Sequence, residues 1–283
     1  ANHYPITMLN THHRGFTPSG TWFEDTGSAR DRGSTQDTGQ AVVLAHGVGL
    51  DLNMWDAQVA SLARSCRVIR FDMLGHGRTP ALPRTSTLAD YCEQLHDLVD
   101  FLNLAPFVLV GFSMGGVITQ RFSADHPERV RGIVLMSTVY RRTPAELEGV
   151  QKRLALTERD GPGGIVEHAV DRWFPDDFQA GKAAAVEQIR TTLAANDRRG
   201  YTDAYRVFVQ ADEAVGDALT QVACPAMVMT GGGDVGSTPQ IAERMCADLK
   251  HGELHVLPGL RHMITMQDPQ TVNQKLLHFI GRL

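Results

Sequence analysis

The chain has 283 residues, 42% of them hydrophobic and 21% charged, enough for one large α/β domain with an insertion or for two ordinary domains. Its formal net charge is −5 and its pI is near 6.2, with basic residues scattered along the chain, which excludes nucleic acid as an expected partner. No run of about 18 apolar residues marks a membrane span, residues 1–5 show no secretory signal, and Cys66, Cys92, Cys224 and Cys246 form no CxxC pair. The cysteines therefore read as buried thiols rather than a disulfide frame or metal site, and the expected compartment is the cytoplasm.

Residues 28–40, rich in Gly, Ser, Thr, Asp and Arg, read as an exposed loop between two early strands. The next run, 41–45, is continuously apolar and ends at His46-Gly47, as a strand buried on both faces of a parallel sheet does. The same unit recurs at 67–71, 107–110, 133–136, 226–229 and 253–257. Helical spacing predicts helices over 88–102, 114–125, 239–249 and 269–280, the first with Leu95, Leu98, Val99 and Leu102 on one stripe. Strand-helix alternation demands crossover connections, so the fold class is α/β, a mostly parallel central sheet with helices on both faces. From about Val139 to Val215 no strand is legible. That stretch predicts a helical cap insertion, 139–215, on a core domain made of 1–138 and 216–283.

In such sheets chemistry collects at the carboxyl ends of the strands. Gly111-Phe112-Ser113-Met114-Gly115 fits G-x-S-x-G between a buried strand and a helix start, the context that a serine nucleophile at a strained turn requires. Ser113 needs a base to take its proton. Of the twelve histidines, His46 and His76 sit in Gly-rich turns that suggest loop packing, and His12 and His13 lie in the amino-terminal arm. His126 stands a helix length away, about 20 Å from Ser113 at 1.5 Å per residue. His262 follows the last strand and should arrive at the strand-end face. Asp234, closing Thr230-Gly231-Gly232-Gly233, supplies the carboxylate that orients it, because no acid follows the sixth strand until Glu146. The expected oxyanion donors are the N–H groups of Met114 and of Val48, with Gly49 a near alternative to Val48.

His46-Gly47 with Trp55 downstream, the segment from Phe71 and Asp72 to Gly75-His76-Gly77, residues 111–116, Asp234 and His262 together resemble the α/β-hydrolase superfamily from about Thr21 onward. Within it the chain is most similar to the 3-oxoadipate enol-lactonase and carboxylesterase branch, on Leu52-Asn53-Met54-Trp55, Thr87-Leu88-Ala89-Asp90-Tyr91, His126-Pro127-Glu128-Arg129 and residues 234–239. The resemblance implies the α/β-hydrolase fold and opening of a small carboxylate-bearing enol lactone through an acyl-serine, and the expected function is that of a serine hydrolase cleaving a carboxylic ester or lactone. It further implies Arg141 or Arg142 as the partner of a substrate carboxylate, unless both are solvated arginines of the cap. Trp173 is the expected aromatic contact from the cap.

No metal-ligand spacing, P-loop or dinucleotide fingerprint is present, so no cofactor is expected, and the expected partner is a small molecule. Nothing in the sequence sets an oligomeric state. Two further readings keep the same residues: hydrolysis of a carbon-carbon bond in a β-diketone-like substrate, and a small-molecule receptor on a hydrolase fold.

Overall fold

The computed structural model describes residues 13–283; residues 1–12, with the readings made on them for His12 and for a secretory signal, lie outside the described part. Strands β1 (His13–Phe16), β2 (Trp22–Asp25), β3 (Ala41–Ala45), β4 (Arg67–Phe71), β5 (Phe107–Phe112), β6 (Val130–Met136), β7 (Ala226–Gly231) and β8 (Gly252–Leu257) make one sheet. Its order is β1-β2-β4-β3-β5-β6-β7-β8. The first two strands pair antiparallel, and every pair from β4 to β8 is parallel. The cause is visible in the side chains. Every residue of β5 and β7 is buried, so these Val- and Met-rich runs have no solvent face to alternate with.

The helices are α1 (Asp56–Leu62), α2 (Leu88–Phe101), α3 (Met114–Asp125), α4 (Pro144–Asp160), α5 (Val166–Trp173), α6 (Asp176–Gly181), α7 (Ala183–Ala194), α8 (Arg198–Val209), α9 (Ala211–Val215), α10 (Ala218–Gln221), α11 (Pro239–Asp248), α12 (Ile264–Gln267) and α13 (Pro269–Ile280). One helical layer joins α1 to α12 and α13; the other joins α2 to α3, with α10 bridging α3 and α11. Helix starts follow their capping residues. Thr143 and Glu146 cap each other reciprocally at the head of α4, with Pro144 in the first turn, and Asp268 accepts from the Thr271 N–H before α13.

The long run without strands is a succession of helices, α4 to α9, between β6 and β7, packed as α4 on α8 and α5 on α7. Among the described residues no helix is long and apolar enough to cross a membrane. The four cysteines are free, but only Cys66 and Cys92 are buried. Cys224 and Cys246 are half-buried, one in the turn before β7 and the other on α11 beside Gly252 of the edge strand β8.

Candidate active site

Register brings the strand ends level: Ala45 stands beside Phe71 and Gly111, and Phe112 beside Met136. Ser113 follows immediately, with φ 53° and ψ −114°, a left-handed conformation that costs a non-glycine residue about 1–3 kcal/mol. The turn is held from below. The Ser113 N–H donates to the Met136 carbonyl at 2.9 Å, and the Thr138 hydroxyl donates to the Ser113 carbonyl at 2.6 Å. Glycine flanks it for steric reasons. A Cβ on Gly111 would meet the Gly115 carbonyl oxygen and Thr119 Oγ1, and one on Gly115 would meet the Ala45 carbonyl oxygen.

Two loops carry the other candidates. After β7, Asp234 turns back so that Oδ1 accepts from the Gly236 and Ser237 N–H groups, both at 2.9 Å, while Oδ2 accepts from His262 Nδ1 at 2.7 Å. The two loops are sewn together by the Gly232 N–H on the Leu257 carbonyl and the Gly233 N–H on the Leu260 carbonyl, each 2.8 Å. Asp234 and His262 are 4% and 8% exposed, so their hydrogen bond lies almost out of water, where it is stronger. The bond to Asp234 fixes the Nδ1–H tautomer and leaves Nε2 as the acceptor. His262 is wedged between aromatic rings, with Phe112 at 4.9 Å and Trp173 at 5.6 Å between centroids. Ser113 and His262 line the same cavity, with no hydrogen bond between them in this structure.

The loop after β3 is fixed by buried neutral histidines. His46 Nε2 accepts from the Met73 N–H at 3.0 Å while Nδ1–H donates to the Gly47 carbonyl; His76 Nε2 accepts from the Gly49 N–H at 2.9 Å while Nδ1–H donates to Leu74. Both rings need one bare nitrogen, and burial pushes their pKa values down to about 4 for His46 and about 3 for His76. They pack loops, as their Gly-rich setting predicts. Asp72 ties the same loops by accepting from Leu52 and Arg78 N–H, with burial raising its pKa to about 6. One consequence concerns the alternative oxyanion donors. The Gly49 N–H is committed to His76, whereas those of Val48 and Met114 have no protein acceptor among the described residues.

His126 stands at the far end of α3, against His96 and Glu128 and away from this cavity. Trp173 and Arg142 do line the cavity, but Arg141 does not. The expectation for Arg141 is corrected by its ion pair with Asp248 at 2.8 Å, which keeps its half-exposed side chain on the outer surface over Tyr140. Arg142 is also committed: its Nε donates to Asp212 at 2.8 Å and its Nη2 to the Phe208 carbonyl at 2.6 Å. The sequence reading missed Arg153, Arg172, Tyr201 and Tyr205, which complete the wall from α4, α5 and α8. Only the helical period on these elements, with charges recurring on the inner side, carries a signal for them. Among the described residues no group of three or more His, Cys, Asp or Glu side chains is placed to hold a metal ion.

A family model described as the alpha/beta hydrolase fold matches residues 40–269, and the chain belongs to that family. It is a hydrolase of α/β fold, a class that acts on small molecules. The chain is 34% identical to the (E)-2-((N-methylformamido)methylene)succinate hydrolase of Acinetobacter baylyi, over 85% of this chain and 90% of that protein. It is 27% identical to 3-oxoadipate enol-lactonase 2 of the same organism, over 89% and 94% of the two chains. The crystal structure of the enol-lactonase from Burkholderia xenovorans superposes with a TM-score of 0.82 at 23% identity, over 95% and 99% of the chains, and so shares the fold. The similarity to the enol-lactonase branch is borne out.

Proposed function

We propose that this chain is a serine hydrolase that cleaves a carboxylic ester or lactone through an acyl-serine intermediate. The observation that carries the reading is the 2.7 Å bond from His262 Nδ1 to Asp234, with His262 sharing one cavity wall with a serine at φ 53°. The Ser113 oxygen attacks the substrate carbonyl carbon while His262 Nε2 takes the hydroxyl proton. The carbonyl oxygen becomes an oxyanion between the free N–H groups of Val48 and Met114. His262 then gives its proton to the departing alkoxide. In the second half a water loses a proton to His262 and attacks the acyl-enzyme, and the returning proton restores the Ser113 hydroxyl. Asp234 stays ionised and stabilises the imidazolium. The Ser113–His262 hydrogen bond, open here, closes as substrate fills the cavity.

In this reading residues 139–215 act as the cap over a core formed by 1–138 and 216–283, and Trp173 shields His262 from water. The similarity to enol-lactonases supports a lactone or ester carbonyl. A second reading keeps every role and breaks a C–N bond, because the relative at 34% identity is named for hydrolysis of an N-acyl compound. A panel of p-nitrophenyl esters, lactones and N-alkenyl formamides tests both. Turnover of esters or lactones supports the first reading, and turnover of the formamides alone supports the second. Turnover of none would contradict both.

A further inference from the structure

The head of helix α8 is set directly on the loops at the strand ends. There the Asp197 carboxylate accepts from the Gly200 N–H at 2.7 Å, and Gly200 lies backbone to backbone on Gly75, so that a Cβ on either would meet the main chain of the other. Gly75 belongs to the turn whose His76 accepts from the Gly49 N–H at 2.9 Å. Just ahead of α8, Asn196 Nδ2 donates to the Gly49 carbonyl at 2.7 Å. Gly49 is thus held at both polar groups, and the ring of Tyr201 covers its Cα. A Cβ on Gly49 would stand 2.6 Å from Tyr201 Cε2 and 3.3 Å from Cδ2, so the edge of the ring beside the hydroxyl is the one nearer the loop. Val48, with its free N–H, is the next residue of that loop, and Val48, Ser113 and Tyr201 line one cavity.

The two tyrosines of the wall differ in what their hydroxyls do. Their rings stack with centroids 5.9 Å apart, and the Tyr205 hydroxyl accepts from Arg153 Nε at 2.9 Å. Tyr201 is 2% exposed, and its hydroxyl has no hydrogen-bond partner among the described residues. A buried hydroxyl left unpaired costs free energy, and such a group is ordinarily satisfied by what it meets. Here it meets the cavity. Burial, then the neighbouring Tyr205, pushes the Tyr201 phenol up, so it keeps its proton and stays a donor at any working pH.

From this we propose that Tyr201 is a further catalytic residue, whose hydroxyl donates a third hydrogen bond to the substrate carbonyl oxygen as it becomes the oxyanion, beside the N–H groups of Val48 and Met114. This role rests on the ester hydrolysis proposed above. No proton is transferred: the phenol keeps its own, and the electron pair that moves onto the oxygen returns to the carbonyl when the alkoxide departs. The two N–H groups come from the strand ends and the hydroxyl from α8, so the oxyanion site is complete only with α8 seated on Gly49 and Gly75. Because that seat is made by backbone contacts, the hydroxyl is in place before reaction, which is the condition for such a donor to favour the transition state.

Two measurements on Tyr201→Phe test it. The first uses p-nitrophenyl butyrate and ethyl butyrate, which share a carbonyl and differ in leaving group. The variant should lose about 100-fold in kcat and in kcat/KM on both esters, as removal of one oxyanion donor does. Trifluoromethyl propyl ketone adds the Ser113 oxygen to its carbonyl carbon, with the hydroxyl proton passing to His262, and so carries the oxyanion itself; its inhibition constant should rise by a similar factor. A fall on ethyl butyrate alone would place the hydroxyl on the leaving group, and a rise in KM alone would make it a ground-state contact; either would overturn the third donor. The second measurement is thermal unfolding. A hydroxyl with no internal bond to lose should leave Tm unchanged or raise it on removal, and a fall of several degrees would overturn its unpaired state. A variant as active as a working wild type removes the third donor and leaves the hydrolase standing, whereas a wild type inactive on both esters removes the ester reading and this role with it.

Discussion

The strand-end floor and the helical run above it hold their functional groups by different means. On the floor, position is set by backbone: a serine forced to φ 53°, glycines with no room for a Cβ, and loop N–H groups that clamp Asp234. Above it, Arg153, Arg172 and Tyr205 reach the cavity as long side chains from three helices, with the Nε of Arg153 on the Tyr205 hydroxyl and the Nε of Arg172 on no partner, while Arg142, from the loop before α4, is tied to Asp212 and to the Phe208 and Val209 carbonyls. The difference separates two tasks. Bond making needs atoms fixed to fractions of an ångström, which backbone sterics supply, while recognition of a substrate needs charge in the right region, which helices can exchange without disturbing the floor.

The largest expected effect tests the floor as one unit. Ser113→Ala and His262→Ala should each lower kcat on the order of 10⁴-fold or more, and the double variant little further. Additive losses would break the account of a coupled pair. Gly115→Ala should come next. The added carbon meets the Ala45 carbonyl oxygen, which is backbone and cannot rotate away, so urea unfolding should show a loss of about 3 kcal/mol. A loss under about 0.5 kcal/mol would mean that the floor yields more than this geometry allows.

Acid should also loosen the floor. His46 and His76 have folded pKa values lowered to about 4 and about 3, so between pH 6.5 and 4 the unfolded chain binds protons that the folded chain refuses. Stability from these two groups falls as pH falls, by on the order of 3 kcal/mol each at pH 4. Asp72 acts with the opposite sign. Its folded pKa, raised to about 6, makes the folded chain hold the extra proton between about pH 4 and 6, so its contribution falls as pH rises through that window. The two histidines outweigh the one carboxyl, and denaturant titration should show net destabilisation on acidification. A curve flat or rising toward pH 4 would contradict their buried neutral state. Arg141→Gln should do least, under about 1 kcal/mol, since its pair with Asp248 is partly exposed and Arg141 does not line the cavity.

The same division governs what the sequence makes legible. The six parallel strands, the crossover helices α2, α3 and α11 and the last helix α13 stand out because apolar runs and the helical period both leave composition marks, and the structure differs there by only a few residues at element ends, although the edge strand β8 is mostly half-buried rather than covered on both faces. Short edge elements leave fainter marks. Strands β1 and β2 and helix α1 have four to seven residues, too few for a period to be read, and β1 is mostly exposed.

At the site, the spacing around Ser113 carries its own steric logic. The same logic fails for Arg141 and Arg142. Neighbours in sequence, they diverge because Arg141 takes φ 42° and sends its side chain to Asp248 while Arg142 turns inward to Asp212. Arg153, Arg172 and Tyr201 stand out in the structure alone, because what each side chain meets depends on residues distant in the chain.

The central claim is that Ser113 is an activated nucleophile, and covalent labelling tests it most directly. The pure protein should be treated with a fluorophosphonate beside Ser113→Ala and His262→Ala, and the adduct located by peptide mass. The account predicts one adduct, on Ser113, fast in the wild type, absent in Ser113→Ala and slowed by orders of magnitude in His262→Ala. A folded wild type that takes no label, or labelling at full rate without His262, would contradict it.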